Sequence, residues 1–352
     1  MVSEPKQPSL GKVFVALSGG VDSAVSAGLL KQAGYEVTGI YFKPWQPEHN
    51  LAHCRWQEDR RDALRVAVKL GIRFETWDFS ADYHDRVVNY MISAYKKGQT
   101  PNPDIICNDE IKFGLFLEKS RQAGADFIAT GHYAQIKKSP SGKFQLLMGA
   151  DPEKDQSYFL YKLTQAELAM TLFPVGHLKK TAVRKLAEKL KLPVATKKDS
   201  QGVCFVGDLS MREFLKEYIQ PRPGDIKNTQ GEVIGRHEGI AFYTIGQRHG
   251  FTTKNNRPYY VVGKKATENV LIVGLSPVIQ KEIKIRDLTL IDPEEKISEL
   301  VKTRSRYRQK LVASRLKNDQ VIFLENQESP SPGQSIVFYQ ENRVLGGAII
   351  ND

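Results

Sequence analysis

KVFVALSGGVDSAVSAGLL, residues 12–30, is the stretch whose reading decides the fold. Lys12–Leu17 is a continuous apolar run of strand length. Ser18-Gly19-Gly20-Val21-Asp22-Ser23 follows at once, and apolar residues at helical spacing then run from Ser23 to Ala33. A strand that turns through glycines into a helix is the opening unit of an α/β sheet. Such a loop suits phosphates. Glycines let the backbone approach closely, and the free N–H groups of a helix N-terminus attract anions. Ser18 and Ser23 add hydroxyls, and Asp22 can help organise a metal ion. No lysine follows the glycines, and the spacing is not GxGxxG. Neither a γ-phosphoryl transferase nor a dinucleotide enzyme is therefore indicated. The plainer alternative is a helix capped by serine and aspartate.

Outward from this unit, strands and helices alternate. Glu36–Tyr41 reads as a second strand, Trp56–Leu70 as a helix ending at Gly71, and Arg73–Trp77 as a third strand. Tyr83–Tyr95 and Glu110–Gln122 read as helices, Asp126–Thr130 as a fourth strand, and Lys179–Leu190 as a further helix. Tyr133–Lys137 and Phe144–Leu147 read as a hairpin appended to the sheet. The pattern predicts a doubly wound parallel sheet with helices on both faces. After about Gly207 the composition changes. Helical Met211–Ile219 precedes short glycine-punctuated β runs at Gly231–Gly235, Gly239–Gly246, Tyr259–Gly263 and Val270–Gly274. From Ile283 onward β runs recur at Ile283–Leu290, Lys310–Leu316, Gln320–Leu324, Ser335–Tyr339 and Val344–Ile350. This spacing predicts small barrels. The expected division is 1–208 for the α/β domain, 209–278 for a central β-rich domain, and 279–352 for a C-terminal β-barrel.

The chain has 352 residues, 41% hydrophobic and 26% charged, which excludes fibrous and mostly disordered classes. No apolar run reaches the roughly 18 residues that span a bilayer, and Met1–Leu10 lacks the apolar segment of a secretory signal. Three cysteines do not make a disulfide framework. A cytoplasmic location is the expectation. Lys and Arg number 51 against 40 Asp and Glu, a net charge of +11. That sign suggests a polyanionic partner, RNA or DNA first.

Two cysteines sit in distinctive surroundings. Cys107 lies in Pro101-Asn102-Pro103-Asp104-Ile105-Ile106-Cys107-Asn108. The prolines and asparagines predict a shaped loop before the Glu110 helix. Asp104 and Cys107 are close enough in sequence to face one site, and a helix N-terminus lowers a thiol pKa. Cys204 lies in Asp199-Ser200-Gln201-Gly202-Val203-Cys204-Phe205. Each could equally be an inert buried thiol. No CxxC pair or spaced histidine marks a zinc site, and Cys54 carries no motif.

SGGVDS resembles the loop of the ATP-pyrophosphatase superfamily, which cleaves ATP between the α and β phosphates and adenylates an oxygen. With NPDIICN, TGHYA, KDQSYFL, SQGVCF and the C-terminal PGQ, essentially the whole chain resembles the tRNA-specific 2-thiouridylases. The resemblance implies ATP with Mg2+, contacted by Ala16, Leu17, Ser18, Gly19, Gly20, Val21, Asp22 and Ser23, by Phe42 at the second strand's end, and by Gly131. It implies no metal ion held by the protein alone. It implies sulfur for oxygen at C2 of the wobble uridine of tRNAs for lysine, glutamate and glutamine. Cys204 would carry a persulfide. Cys107 would attack it to release hydrosulfide, or resolve the intermediate after direct attack; either route leaves a Cys107–Cys204 disulfide for reduction. Asp104 would be the general acid/base or orient one.

The family's tRNA-contacting segments match Asn102, Pro103 and Asp104, then His132, then Lys154, Asp155 and Gln156, and finally Gln334. The target base must be turned out of the anticodon loop. From Lys302 to Lys317 the chain is basic without an acid. If that run is a regular strand, Arg304, Arg306 and Arg308 share one face and Tyr307 takes the other. Arg306, Tyr307 and Arg308 are expected to track tRNA phosphates. A cysteine desulfurase or a sulfur-relay protein is the expected sulfur donor. A small-molecule synthetase with the same loop would need neither distant paired cysteines nor a basic barrel. A non-catalytic RNA-binding protein would need neither the loop nor the cysteines.

Overall fold

The computed structural model describes residues 9–46, 56–199, 210–254 and 257–351. In chain order the elements begin with β1 (Lys12–Ala16), α1 (Val21–Gln32), β2 (Glu36–Lys43), α2 (Trp56–Leu70), β3 (Arg73–Asp78), α3 (Ser80–Tyr83), α4 (Asn89–Lys96), α5 (Pro103–Ile106) and α6 (Phe116–Gln122). Next come β4 (Phe127–Ala129), β5 (Ala134–Lys138), β6 (Phe144–Met148), α7 (Gln165–Ala169), β7 (Thr171–Leu172), α8 (Lys180–Lys189) and α9 (Met211–Tyr218). The remainder is β: β8 (Gly224–Asn228), β9 (Val233–His237), β10 (Thr252–Thr253), β11 (Tyr260–Lys265), β12 (Val270–Gly274), β13 (Ile279–Leu290), β14 (Leu300–Arg304), β15 (Val312–Lys317), β16 (Gln320–Glu328), β17 (Ser335–Gln340) and β18 (Arg343–Ile350). Among the described residues no helix is long and apolar enough to cross a membrane.

Two compact units result. One takes in the described chain up to His84, from Asp104 to the 208 boundary, and Asn342–Val344; the other takes in the rest. The first holds a parallel sheet of order β3-β2-β1-β4-β7. Val13 and Val15 of β1 are wholly buried, as expected of a central parallel strand covered on both faces. α1 is buried on most of its surface, including Ala24, Val25 and Ala27, so its mixed pattern of small and apolar residues reflects a helix inside the core. The chain steps from β1 to β2 and β3 on one side, then returns to place β4 on the other side of β1. The crevice beyond β1 and β4 is therefore the topological switch point, where such sheets bind ligands.

The second unit holds two β assemblies. One sheet has the order β10-β9-β8-β12-β11. The other is a barrel in which β13 pairs with β16 through Ile279–Lys284 and with β18 through Ile285–Leu290. That double pairing closes β13-β16-β15-β14-β17-β18 on itself and removes the open edge. Ile283, Val321, Phe323, Ile336, Phe338 and Ala348 fill its core.

Four expectations change. The β5–β6 hairpin joins not the parallel sheet but Arg343 and Val344, which belong with the first unit. Gly239–Gly246 is no strand; Ala241, Phe242 and Tyr243 are buried around a 3₁₀ turn, and a short apolar run cannot announce its conformation by periodicity. The helix read at Tyr83–Tyr95 is α3, a π-helical stretch His84–Val88, and α4. The loop read around Cys107 is helical: α5 starts at Pro103, and Cys107–Leu115 continues as π-helix into α6. Pro103 occupies the first helical position, where its missing N–H costs nothing and its φ is already suitable.

Candidate active site

The SGGVDS loop leaves β1 at the switch point and opens α1. Gly20 is the N-cap and no side chain caps the helix, so the first N–H groups of α1 are left for an anion. The loop is braced internally. Ser18 N donates to Ser23 Oγ at 3.2 Å, Gly20 N donates to Ser18 Oγ at 3.3 Å, and Ser23 Oγ donates to the Gly20 carbonyl at 3.2 Å. Gly19 has φ of +76°, and a Cβ there would stand 2.3 Å from the Asp59 carbonyl oxygen. Leu17 and Val21 turn their side chains into the core, so only their backbone can serve a ligand. Ala16 ends β1.

Gly131 closes the cradle from β4. A Cβ on it would lie 2.7 Å from Ser23 N and 2.9 Å from the Asp22 carbonyl carbon, so the loop after β4 rests directly on the first turn of α1. Phe42, near the end of β2, packs edge-on to Phe79 and Phe116 at 5.2 and 4.8 Å.

Asp22 is the charged centre of this cradle. Lys180 Nζ donates to both its oxygens at 2.7 and 2.8 Å, and Tyr133 OH donates to Oδ1 at 2.7 Å. Burial and the Asp22 charge push the Tyr133 phenol up, which keeps it a donor. Lys180 also meets Asp199 at 2.9 Å, and Arg184 and Lys154 each reach Asp199 at 2.6 Å. Burial raises the Asp199 carboxyl, but hydrogen bonds from Lys154 and Lys180 outweigh it and hold it down at about 2. Lys197 donates to the Gly19 carbonyl at 3.1 Å and to Asp59 and Asp62 at 2.7 Å each. Of these partners the sequence singles out only Lys154, and as a tRNA contact, not as a partner of Asp199. Tyr133 stands inside TGHYA, but no spacing shows that Lys180 or Lys197 reaches the loop.

The uncapped helix and glycine cradle fit a triphosphate. Among the described residues no cluster of three His, Cys, Asp or Glu is arranged to hold a metal ion. A lone carboxylate such as Asp22 suits Mg2+ that arrives on phosphates, since this ion uses few protein ligands.

Asp104 and Cys107 lie one turn apart on the helical run from Pro103. Burial raises the Asp104 carboxyl, and Lys112 opposes this in part. A carboxyl so shifted exchanges its proton closer to neutrality. Cys107 is half-buried. The residues after it are tied down: Asn108 Nδ2 donates to the Phe159 carbonyl at 3.1 Å, and Asp109 meets Lys162 at 2.7 Å. His132 is buried between Phe113 and Phe173, with Nδ1 2.7 Å from Thr130 Oγ1. Burial, then Lys112, holds its pKa well below the usual value, so the imidazole is neutral. Cys204 and Cys54 lie outside the described residues.

The remaining expected contacts fall in different settings. Lys154 is engaged by Asp199. Asp155 is 2% exposed and accepts from the Gly149 and Ser157 N–H groups. Gln156 exchanges hydrogen bonds with the Tyr133 backbone at 2.9 and 3.0 Å. Gln334 Nε2 donates to the Thr100 and Pro101 carbonyls, just before Asn102 and Pro103. The single face expected for Arg304, Arg306 and Arg308 does not form. β14 ends at Arg304, which is buried with its guanidinium 5.4 Å from the Tyr339 ring centroid. Arg306 begins a turn and reaches Glu328 at 3.5 Å. Arg308 is exposed at φ +62°, its guanidinium 5.0 Å from the Tyr307 ring. The turn breaks the alternation that the basic spacing suggested.

Three family models account for the chain in series: "tRNA methyl transferase HUP domain" over residues 11–208, "tRNA methyl transferase PRC-barrel domain" over 212–275, and "Aminomethyltransferase beta-barrel domain" over 280–350. The tRNA-specific 2-thiouridylase MnmA of Janthinobacterium sp. (strain Marseille) is 42% identical over 97% of each chain. That of Bacillus subtilis (strain 168) is 41% identical over 99% of this chain and 96% of its own. That of Pseudomonas fluorescens (strain Pf0-1) is 43% identical over 98% and 96%.

The chain belongs to the tRNA-specific 2-thiouridylase family.

As a 2-thiouridylase it is a tRNA-uridine sulfurtransferase of a family that uses ATP. The family's α/β domain, central PRC-barrel and closed β-barrel correspond to the parallel sheet, the β8–β12 sheet and the β13–β18 barrel.

Proposed function

We propose that this 2-thiouridylase replaces the C2 oxygen of the wobble uridine in tRNAs for lysine, glutamate and glutamine with sulfur. The α/β domain is placed at 1–208, a tRNA-contacting β domain at 209–278 and a tRNA-binding barrel at 279–352. The observation that carries the reading is the glycine cradle at the β1–β4 switch point, in a chain that matches the family along its length.

The chemistry follows from a poor leaving group. The base's C2 oxygen attacks the α phosphate of ATP, pyrophosphate departs, and the oxygen later leaves with AMP. Residues Ala16–Ser23 and Gly131 hold the phosphates through backbone N–H groups, Asp22 faces the Mg2+ that accompanies them, and Phe42 borders the nucleotide. Asn102, Pro103 and Asp104 meet the flipped base. Asp104, with its raised pKa, takes or orients a proton there. A persulfide on Cys204, loaded by a cysteine desulfurase or relay protein, supplies sulfur. Cys107 either displaces hydrosulfide from it or resolves the intermediate. Both routes end in a Cys107–Cys204 disulfide, reduced by an external thiol. The protein acts in the cytoplasm.

The test combines ATP, Mg2+, a persulfide donor and unmodified glutamate tRNA, followed by mass spectrometry of the nucleosides. A sulfur-for-oxygen mass gain at the wobble uridine, abolished by Cys204→Ser, is the expected result. Pyrophosphate release without tRNA and without a mass gain would place the chain among small-molecule synthetases.

A further inference from the structure

We propose that the exposed side of α2, with the turn after α8, is the docking surface for the protein that delivers sulfur, and that this partner presents carboxylates around an apolar side chain. The inference rests on the reading of the chain as a 2-thiouridylase loaded through Cys204. Leu64, Val68 and Pro193 line a shallow depression of about 440 Å³ together with Arg65, Lys69 and Lys191, and no carboxylate joins them. α2 turns Ala63, Val66 and Ala67 into the core. Leu64 and Val68 lie one turn apart on its solvent side, 39% and 73% exposed. Val68 is the most exposed large apolar side chain among the described residues. The outer side of an amphipathic helix ordinarily carries charge, and apolar groups gathered inside a polar rim mark interaction sites.

The rim is cationic and largely unspent. Among the described residues neither Lys69 nor Lys191 has an ion pair, and Arg65 reaches only Asp62, at 3.6 Å. Lys191 stands at φ +51° just past α8, where Lys191 N donates to the Glu188 carbonyl at 2.8 Å and Leu192 N to the Ala187 carbonyl at 2.9 Å. Glycine is the usual residue in this helix ending, so a lysine is held here against backbone preference. Three cations around aliphatic carbons complement carboxylates around an apolar side chain. RNA fits less well: the set holds no aromatic ring for a base, and phosphates gain nothing from Leu64, Val68 and Pro193.

The location suits delivery. Both walls of the depression lead to the glycine loop. Asp59 and Asp62 of α2 accept from Lys197, four positions beyond Pro193, and Lys197 donates to the Gly19 carbonyl. Cys204 follows Pro193 by eleven positions, at most about 40 Å of chain, which one bound protein can span. ATP and tRNA bring no sulfur. Transfer from a persulfide breaks the donor's S–S bond, forms another on Cys204 and expels the donor's thiolate. No oxidant is needed, but the two cysteines must meet, so a carrier protein has to dock.

The test combines the full chain, ATP, Mg2+ and glutamate tRNA with one of three sulfur sources: sodium sulfide, a purified cysteine desulfurase with cysteine, or that desulfurase with its relay proteins. Val68→Glu places an acid in the depression, and Lys69→Gln with Lys191→Gln removes two cations. Each is expected to lower kcat/KM for the protein donor by about tenfold or more, and the double variant flattens its salt dependence. The sulfide-supported rate and the tRNA dissociation constant stay within about twofold of wild type, and the melting curves coincide, because the altered side chains are exposed. Unchanged kcat/KM for the protein donor in both variants would overturn the proposal. Weakened tRNA binding would assign the face to RNA and overturn it as well, and a dimer split by Val68→Glu in sedimentation would assign it to a second copy. Thiolation on sulfide with no response to either protein donor would end the proposal and leave the 2-thiouridylase reading standing. No thiolation on any source would end that reading, and the proposal with it.

Discussion

Lys112 lies one π-helical turn beyond Cys107, and its charge bears on two groups at once. It lowers the pKa of Asp104 against burial, and it adds to the burial that depresses His132. Replacing it with methionine removes a positive charge that favours the Asp104 carboxylate. The Asp104 carboxyl then rises further, and His132 rises toward its ordinary value. If ionised Asp104 is needed, the acid limb of the single-turnover rate lies above the usual aspartate range in the wild type and moves to higher pH in Lys112→Met. A limb that stays put or moves down excludes Asp104 as the titrating group. A second residue test concerns Lys197. It bridges the Gly19 carbonyl to Asp59 and Asp62, and those carboxylates raise its pKa despite burial. Lys197→Met leaves two half-buried carboxylates without their shared cation beside the glycine loop. Charge-assisted bonds of this kind are worth about 1.5–3 kcal/mol, so ATP affinity by calorimetry is expected to fall by about tenfold or more. Lys197→Arg should restore part of it.

Elements show where sequence reasoning held and where it failed. The β1–loop–α1 unit and α2 were legible because each carries a single unambiguous pattern: a buried apolar strand, a glycine turn, and an amphipathic helix of full length. The helix around Cys107 was not. Two prolines within three residues argue against helix interior, and periodicity cannot show that the second one begins a helix. The π-helical register that follows has no simple sequence signature. The cradle was legible as a motif, but its charge partners were not, because Tyr133, Lys180, Asp199 and Lys197 converge on it only through the sheet's crossovers. The contact between the β4 loop and α1 makes its own prediction. Gly131→Ala sets a Cβ 2.7 Å from Ser23 N and 2.9 Å from the Asp22 carbonyl carbon, both backbone atoms of the helix's first turn, with no flexible side-chain end to yield. The first turn of α1 or the β4 loop has to shift. Calorimetry should find ATP binding weakened by more than tenfold, while circular dichroism retains the helical content of the parallel-sheet unit. Undiminished affinity would mean the nucleotide does not use this junction.

At the scale of the whole molecule, the charge of +11 matters only where it faces outward. On the barrel, Lys302 and Arg315 lie exposed on the paired strands β14 and β15, followed by exposed Lys317. Arg306 and Arg308 extend this cationic surface on the turn after β14, whereas Arg304 is buried against Tyr339. The three arginines read as one stripe therefore divide into two kinds. Each phosphate neutralised by a surface cation releases counterions, so the logarithm of tRNA affinity falls linearly with the logarithm of salt. Arg306→Ala and Arg308→Ala are each expected to reduce that slope by about 1, with little change in melting temperature. Arg304→Ala is expected to do the reverse: its removal strips packing and a cation–π contact from the barrel core and lowers the melting temperature, while the slope holds. Arg73, exposed on β3 and paired with Glu36, serves as the control whose loss changes neither. Filter binding from low to physiological salt, with melting curves on the same preparations, separates the two kinds. A slope reduced by Arg304→Ala and untouched by Arg308→Ala would move the RNA path off the turn after β14.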